Sequence, residues 1–142
     1  MTKLTVAVLL AAAALAGAAA AQAPKPQSLV DKELPTTAPV GVVDLGPEFD
    51  VMKGYVMQQT VNTVPVGWGR AEHSHKGAPE IVHVISGVLT DQRIGGQQVK
   101  YGPGSTLIND HGLSHMWANF GPDPVVMVNT SVRVKPPAAA PK

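Results

Sequence analysis

The chain has 142 residues, 11 lysines and arginines against 10 aspartates and glutamates, a formal charge of +1 and no cysteine. This near balance, with only 4% aromatic residues, excludes the basic, aromatic-interleaved surface of a nucleic-acid binder. Without thiols there are no disulfides and no thiolate ligands, so any metal must be held by imidazole and carboxylate.

Residues 1–21 open with Lys3, run through an apolar stretch and end in small residues, the layout of a secretory signal peptide cleaved after Ala20 or Ala21. An uncleaved anchor is the alternative, but the stretch is alanine-dominated and little longer than a signal core. The expected location is therefore periplasmic or secreted, with no membrane contact after cleavage. Residues 22–39, QAPKPQSLVDKELPTTAP, are proline-rich and polar and form a linker or arm. Residues 135–142 are expected to be a disordered tail. Residues 40–134 remain, enough for one domain with one core.

Within that body, short runs rich in valine, isoleucine and threonine are bounded by glycine, proline or Asn/Asp clusters, and no stretch has a helical period. Strands are expected at 40–45, 55–61, 66–73, 81–85, 88–94, 97–100, 105–108, 115–119 and 125–134, with Gly95-Gly96 marking a tight hairpin. The fold class is all-β, a sandwich or barrel of antiparallel strands.

Chemistry concentrates in two stretches, 67–87 (GWGRAEHSHKGAPEIVHVISG) and 104–119, which hold all five histidines. Side chains on a strand repeat with period 2, so His73 and His75 can present two imidazoles to one face. Gly77 and Pro79 make a turn, after which Glu80 can return to the same point from a neighbouring strand. His115 is the fourth candidate. If Glu80 faces inward, so do Val82 and Val84, whereas Ile81, His83 and Ile85 face outward, which makes His83 no ligand.

The spacing of Gly67, His73, His75, Glu80 and Gly87 is similar to the first signature of the cupin superfamily at every fixed position. Gly104, Gly112, His115 and Asn119 resemble the second, with Asp110 where the family usually has proline. Aspartate also favours turns, through its side-chain hydrogen bonds to nearby backbone. The resemblance implies a cupin-type double-stranded β-helix, or jelly-roll barrel. It further implies a metal held by His73, His75, Glu80 and His115, and pairing of subunits into a homodimer in which arms such as 22–39 often cross the partner.

One divalent transition metal is expected: iron, manganese, nickel or copper, with zinc possible. Asn119 is expected to hold backbone, and His111 to sit in a turn. Trp117 is either core or pocket wall. Gln58, Gln92, Arg70 and Asn109 are the polar candidates for the cavity, although the parity of Arg70 relative to His73 points it outward. A mostly apolar cavity follows, binding a small oxygen-bearing organic substrate chiefly through the metal. The leading function is a dioxygenase-like metal-dependent oxidoreductase, with Glu80 as its catalytic base. The alternatives are a non-oxidative lyase, isomerase or decarboxylase using the ion as Lewis acid, and a non-catalytic module that binds metal or a small ligand.

Overall fold

The computed structural model describes residues 32, 34 and 37–137. The leader expected at 1–21, most of the 22–39 arm and the end of the 135–142 tail lie outside the described residues. Within them no helix is long and apolar enough to cross a membrane.

Each expected β-rich run contains a strand, although the one expected at 66–73 begins only at Gly69, after a turn closed by the Trp68 N–H on the Pro65 carbonyl. The strands are β1 (Gly41–Asp44), β2 (Tyr55–Val64), β3 (Gly69–Ser74), β4 (Glu80–Ser86), β5 (Leu89–Arg93), β6 (Gln98–Tyr101), β7 (Thr106–Asn109), β8 (Ser114–Ala118) and β9 (Val125–Val134). Among the described residues, a 3-10 turn, Asp50–Met52, is the one regular element not anticipated. The strands form two antiparallel sheets, ordered β1-β2-β9-β4-β7 and β3-β8-β5-β6. From β2 to β5, and again from β6 to β9, the chain crosses from one sheet to the other at every step. That alternation is the winding of the expected jelly-roll barrel.

Parity decides what the barrel encloses. Val64 on β2, Val82 and Val84 on β4, and Val125 and Met127 on β9 turn inward and meet Leu89, Leu107 and Trp117 in one buried cluster. Each such aliphatic side chain contributes about 1.5–3 kcal/mol by leaving water. The other parity of β4 and β7 faces out: Ile81, Ile85 and Ile108 are 52%, 51% and 64% exposed. His83 lies on that outer face and shares a hydrogen bond with Thr106 Oγ1 at 3.1 Å.

The turns behave as their residues require. Gly87 joins β4 to β5 at φ +75°, and a Cβ there would lie 2.5 Å from the Pro124 carbonyl oxygen. Conformation and close approach thus both demand glycine. Asn119 holds the β8–β9 loop, donating to the Val64 and Asp123 carbonyls and accepting from Gly121 N–H at 3.0 Å. Asp110 makes its bend without proline by accepting the Gly112 N–H at 3.1 Å, with His111 exposed in the same turn.

Two described arm residues fold back on this same barrel. Leu34 packs against the core cluster and Lys32 Nζ sits 5.7 Å from the centre of the Trp68 ring. Lys135 is likewise tied down, its N–H donating to the Gly54 carbonyl at 2.8 Å and its ammonium lying 2.5 Å from Asp44.

Candidate metal centre

Strands β3 and β8 pair so that His73 stands opposite His115. His75 follows just past the end of β3, its N–H donating to the Leu113 carbonyl at 3.2 Å. The three rings face one another with centroids 4.6–5.0 Å apart. His115 Nε2 lies 3.0 Å from His75 Nε2 and 3.2 Å from His73 Nε2.

The opposite edge of each ring determines what these nitrogens can be. His73 Nδ1 is 2.9 Å from the Ala71 carbonyl oxygen and His75 Nδ1 is 3.3 Å from that of Ala78. His115 Nδ1 is 2.5 Å from Asp91 Oδ1. A carbonyl or carboxylate oxygen can only accept, so each Nδ1 carries the ring proton and donates it. In the neutral rings all three Nε2 atoms then present lone pairs to one point, with no proton between them. Burial, the leading cause in both cases, holds His73 and His75 below the usual histidine range and favours this neutral form.

Converging lone pairs repel unless a cation separates them. Two nitrogens each ~2.1 Å from one ion and at right angles about it would be ~3.0 Å apart. The observed 3.0 and 3.2 Å agree with that figure, so the residues present fit a divalent metal.

Among the described residues, the cluster whose ligand atoms all lie within 4.8 Å of one another is His73, His75 and His115. The structure thus brings together three of the four expected ligands. Glu80 lines the same cavity, but its carboxylate turns elsewhere. Oε2 accepts from Asn109 Nδ2 at 3.4 Å, and Oε1 is 3.6 Å from an Arg133 nitrogen. Its charge still reaches His75, partly offsetting the effect of burial there.

Asp91 was not singled out by its sequence. It is fully buried on β5, where its register partner on β8 is Trp117. This places it behind the His115 ring, with Arg93 Nε 3.7 Å from its second oxygen. An acidic residue inside a strand was the available signal, but its meaning depends on the β5–β8 pairing.

The cavity in front of the imidazoles has a volume of about 440 Å³ and is not mostly apolar as expected. Trp117 and Met127 supply apolar surface, and Trp117 is at once core and wall. Much of the remainder is polar: Gln58, Thr60 and Asn62 from β2, and Asn129, Ser131 and Arg133 from β9. These are the inward positions of two paired strands, brought to the metal ligands only by closure of the barrel.

Arg70 also lines the cavity, against the parity expectation. The cause is a register shift in β3: Arg70 pairs with Trp117 and His73 with His115, so three steps on β3 match two on β8. One extra residue in the bulge puts Arg70 and His73 on the same face. Gln92, by contrast, turns to the Arg93 and Gly96 carbonyls, and Asn109 is buried behind Glu80.

The cupin-domain sequence profile matches residues 60–131. No curated protein matches the chain. Among solved structures, an uncharacterised conserved protein with a double-stranded β-helix domain from Klebsiella pneumoniae is 20% identical, TM-score 0.54, over 75% of this chain and 88% of that one. A Bacillus halodurans protein is 17% identical, TM-score 0.52, over 62% and 70%. A predicted oxalate decarboxylase from Thermotoga maritima is 21% identical, TM-score 0.45, over 56% of this chain and 65% of that one, slightly under two thirds of its length. At these identities the likeness is one of fold.

Proposed function

The chain belongs to the cupin family, and from that premise we propose that it is an exported metal-dependent oxidoreductase of dioxygenase type. Its substrate is a small oxygen-bearing organic molecule held against His73, His75, His115 and Glu80. The observation that supports this reading most is the convergence of three unprotonated Nε2 atoms whose Nδ1 protons are all committed elsewhere. A bound iron, manganese, nickel or copper ion, or zinc without the redox chemistry, would supply a Lewis acid and template for the substrate.

The chain's own residues supply the rest. Asp91 and the Ala71 and Ala78 carbonyls fix the tautomer and tilt of the three rings. Trp117 and Met127 keep water from one side of the cavity. Glu80 stands at the cavity wall, its side chain 12% exposed, with Asn109 donating to one oxygen. Its other oxygen can take a proton from a substrate hydroxyl or carbon acid. That placement outside the imidazole cluster also favours a second reading, in which the same base serves a non-oxidative lyase, isomerase or decarboxylase.

The test is elemental analysis and electron paramagnetic resonance on protein exported with its own leader, alongside His75→Ala, His115→Ala and Glu80→Gln. Near-stoichiometric metal, absent from both histidine variants, supports the site, and oxygen uptake with a chelating diol then supports the dioxygenase. Turnover without oxygen uptake favours the second reading. Metal without any turnover leaves a binding module, and no metal after reconstitution overturns the site itself. Retention of metal in Glu80→Gln with loss of turnover would identify a base rather than a ligand.

The outward Ile81, Ile85 and Ile108 support a homodimer paired through the β4–β7 face. Light scattering of Ile81→Lys should then give half the wild-type mass.

A further inference from the structure

The cavity wall opposite the imidazoles carries a chemistry that the metal site does not explain. Of the cavity's charged side chains, Arg70 on the imidazole sheet and Arg133 opposite it are cationic and Glu80 is anionic, which leaves one positive charge in excess before any metal is bound. Arg133 is aimed rather than loose: Nε donates to Ser131 Oγ at 3.1 Å. Its approach to Glu80, 3.6 Å, is longer than a hydrogen bond, so guanidinium donors remain for a ligand. Arg70 pairs with no carboxylate among the described residues and reaches the cavity only because of the β3 bulge.

Between the charged groups lies a hydrogen-bonding ladder. Asn62 Nδ2 donates to Thr60 Oγ1 and to Asn129 Oδ1, both at 3.2 Å. Those bonds fix the amide orientations and leave Asn62 Oδ1 as an acceptor and Asn129 Nδ2 as a donor, neither hydrogen-bonded among the described residues. A hydroxyl can serve both, because it donates and accepts. A methylene serves neither, and a ligand that buried the pair against carbon would lose about 1–3 kcal/mol for each group left unsatisfied.

We propose that this wall is a subsite for a hydroxylated carboxylate, with Arg133 taking the carboxylate and the Asn62–Asn129 pair a hydroxyl. The ligand class is a small hydroxy acid or sugar acid, not a flat aromatic diol. Arg70 strengthens the field that draws the anion in. The inference rests on the metal-centre reading for the placing of the ligand's far end against the imidazoles. The subsite residues themselves are on the opposite sheet.

Calorimetric titration of the purified protein with gluconate, hexanoate and glucitol separates the contributions: charge with hydroxyls, charge alone, hydroxyls alone. Gluconate should bind at least about tenfold more tightly than either of the others. R133Q should weaken gluconate by about tenfold and R133K by less, because the ammonium keeps the charge and loses the fork. R70Q, at an exposed position, gives an independent arm and should weaken gluconate while leaving glucitol unchanged. Hexanoate or glucitol binding as tightly as gluconate, no gluconate binding, or wild-type affinity in R133Q would overturn the subsite. Repeating the titration after chelation distinguishes the two readings. Arginine dependence that survives chelation keeps the subsite on its own, while the metal centre fails separately if no metal is retained after reconstitution.

Discussion

The two ends of the barrel interior are built from the same strands and do opposite work. On β2 and β9 the inward positions at one end are Val64 and Val125, both fully buried, with Met127 next to them at the inner edge of the cavity. A few residues along the same strands, the same parity carries Thr60, Asn62, Asn129 and Ser131. At the closed end side chains touch only one another, so stability is concentrated there. At the open end they line a cavity, where hydrogen-bonding capacity is kept for something else. A strand pair can therefore anchor a core and present a binding wall without any change in its backbone.

The sharpest way to break this contrast is at the open end. His75→Ala should abolish stoichiometric metal retention, read by elemental analysis, while unfolding the metal-free protein at nearly the wild-type denaturant concentration. Leu107→Ala, at the closed end, should do the reverse. It removes a fully buried side chain from the cluster and should cost about 2–5 kcal/mol in chemical denaturation with the metal-to-protein ratio unchanged.

Asp91→Asn tests the link between the two ends, because this buried carboxylate bonds the back of a metal ligand and has only Arg93, at 3.7 Å, beside its other oxygen. It should lower metal affinity by about 10–100-fold in a chelator competition. Equal affinity would mean that Asp91 merely fills space.

The smallest effect is with pH. Burial depresses the protonation of His73 and His75 relative to the ordinary 6.5 of an unfolded histidine. Below that value the unfolded chain binds protons that the folded chain refuses, so stability declines with acidity. The metal-free protein should thus keep its full denaturation midpoint above about pH 6.5 and lose part of it as the pH falls further. A His73→Ala variant should show a shallower slope over the same range.

What the sequence disclosed was local. Runs such as Val125–Val134 contain enough β-branched residues between turn formers to mark strands unaided. His-x-His is a two-residue device whose geometry follows from the pleat. Asp110 and Asn119 each hold backbone two residues on, and those roles were equally legible, whereas the Asn119 bond to the distant Val64 carbonyl was not. What stayed hidden depended on pairings across the chain. Asp91 acquires meaning only when β5 is laid beside β8, and Arg133 only when β9 runs between β2 and β4. The polar wall was foreseeable in one respect, since Asn129, Ser131 and Arg133 share the parity of the apolar Val125 and Met127. Following that parity to the end of the strand would have shown that the cavity could not be mostly apolar.

The bulge between Arg70 and His73 means that the chain can shorten by one residue here without changing which side chains share a face. Removing either Ala71 or Glu72, both exposed, would discard no core contact and no ligand. Arg70 and His73 would then stand two residues apart, and strict alternation would keep them on one face. A deletion here is therefore silent inside the barrel, whereas the same deletion within the unbulged β2 would turn every inward side chain beyond it to the outer face.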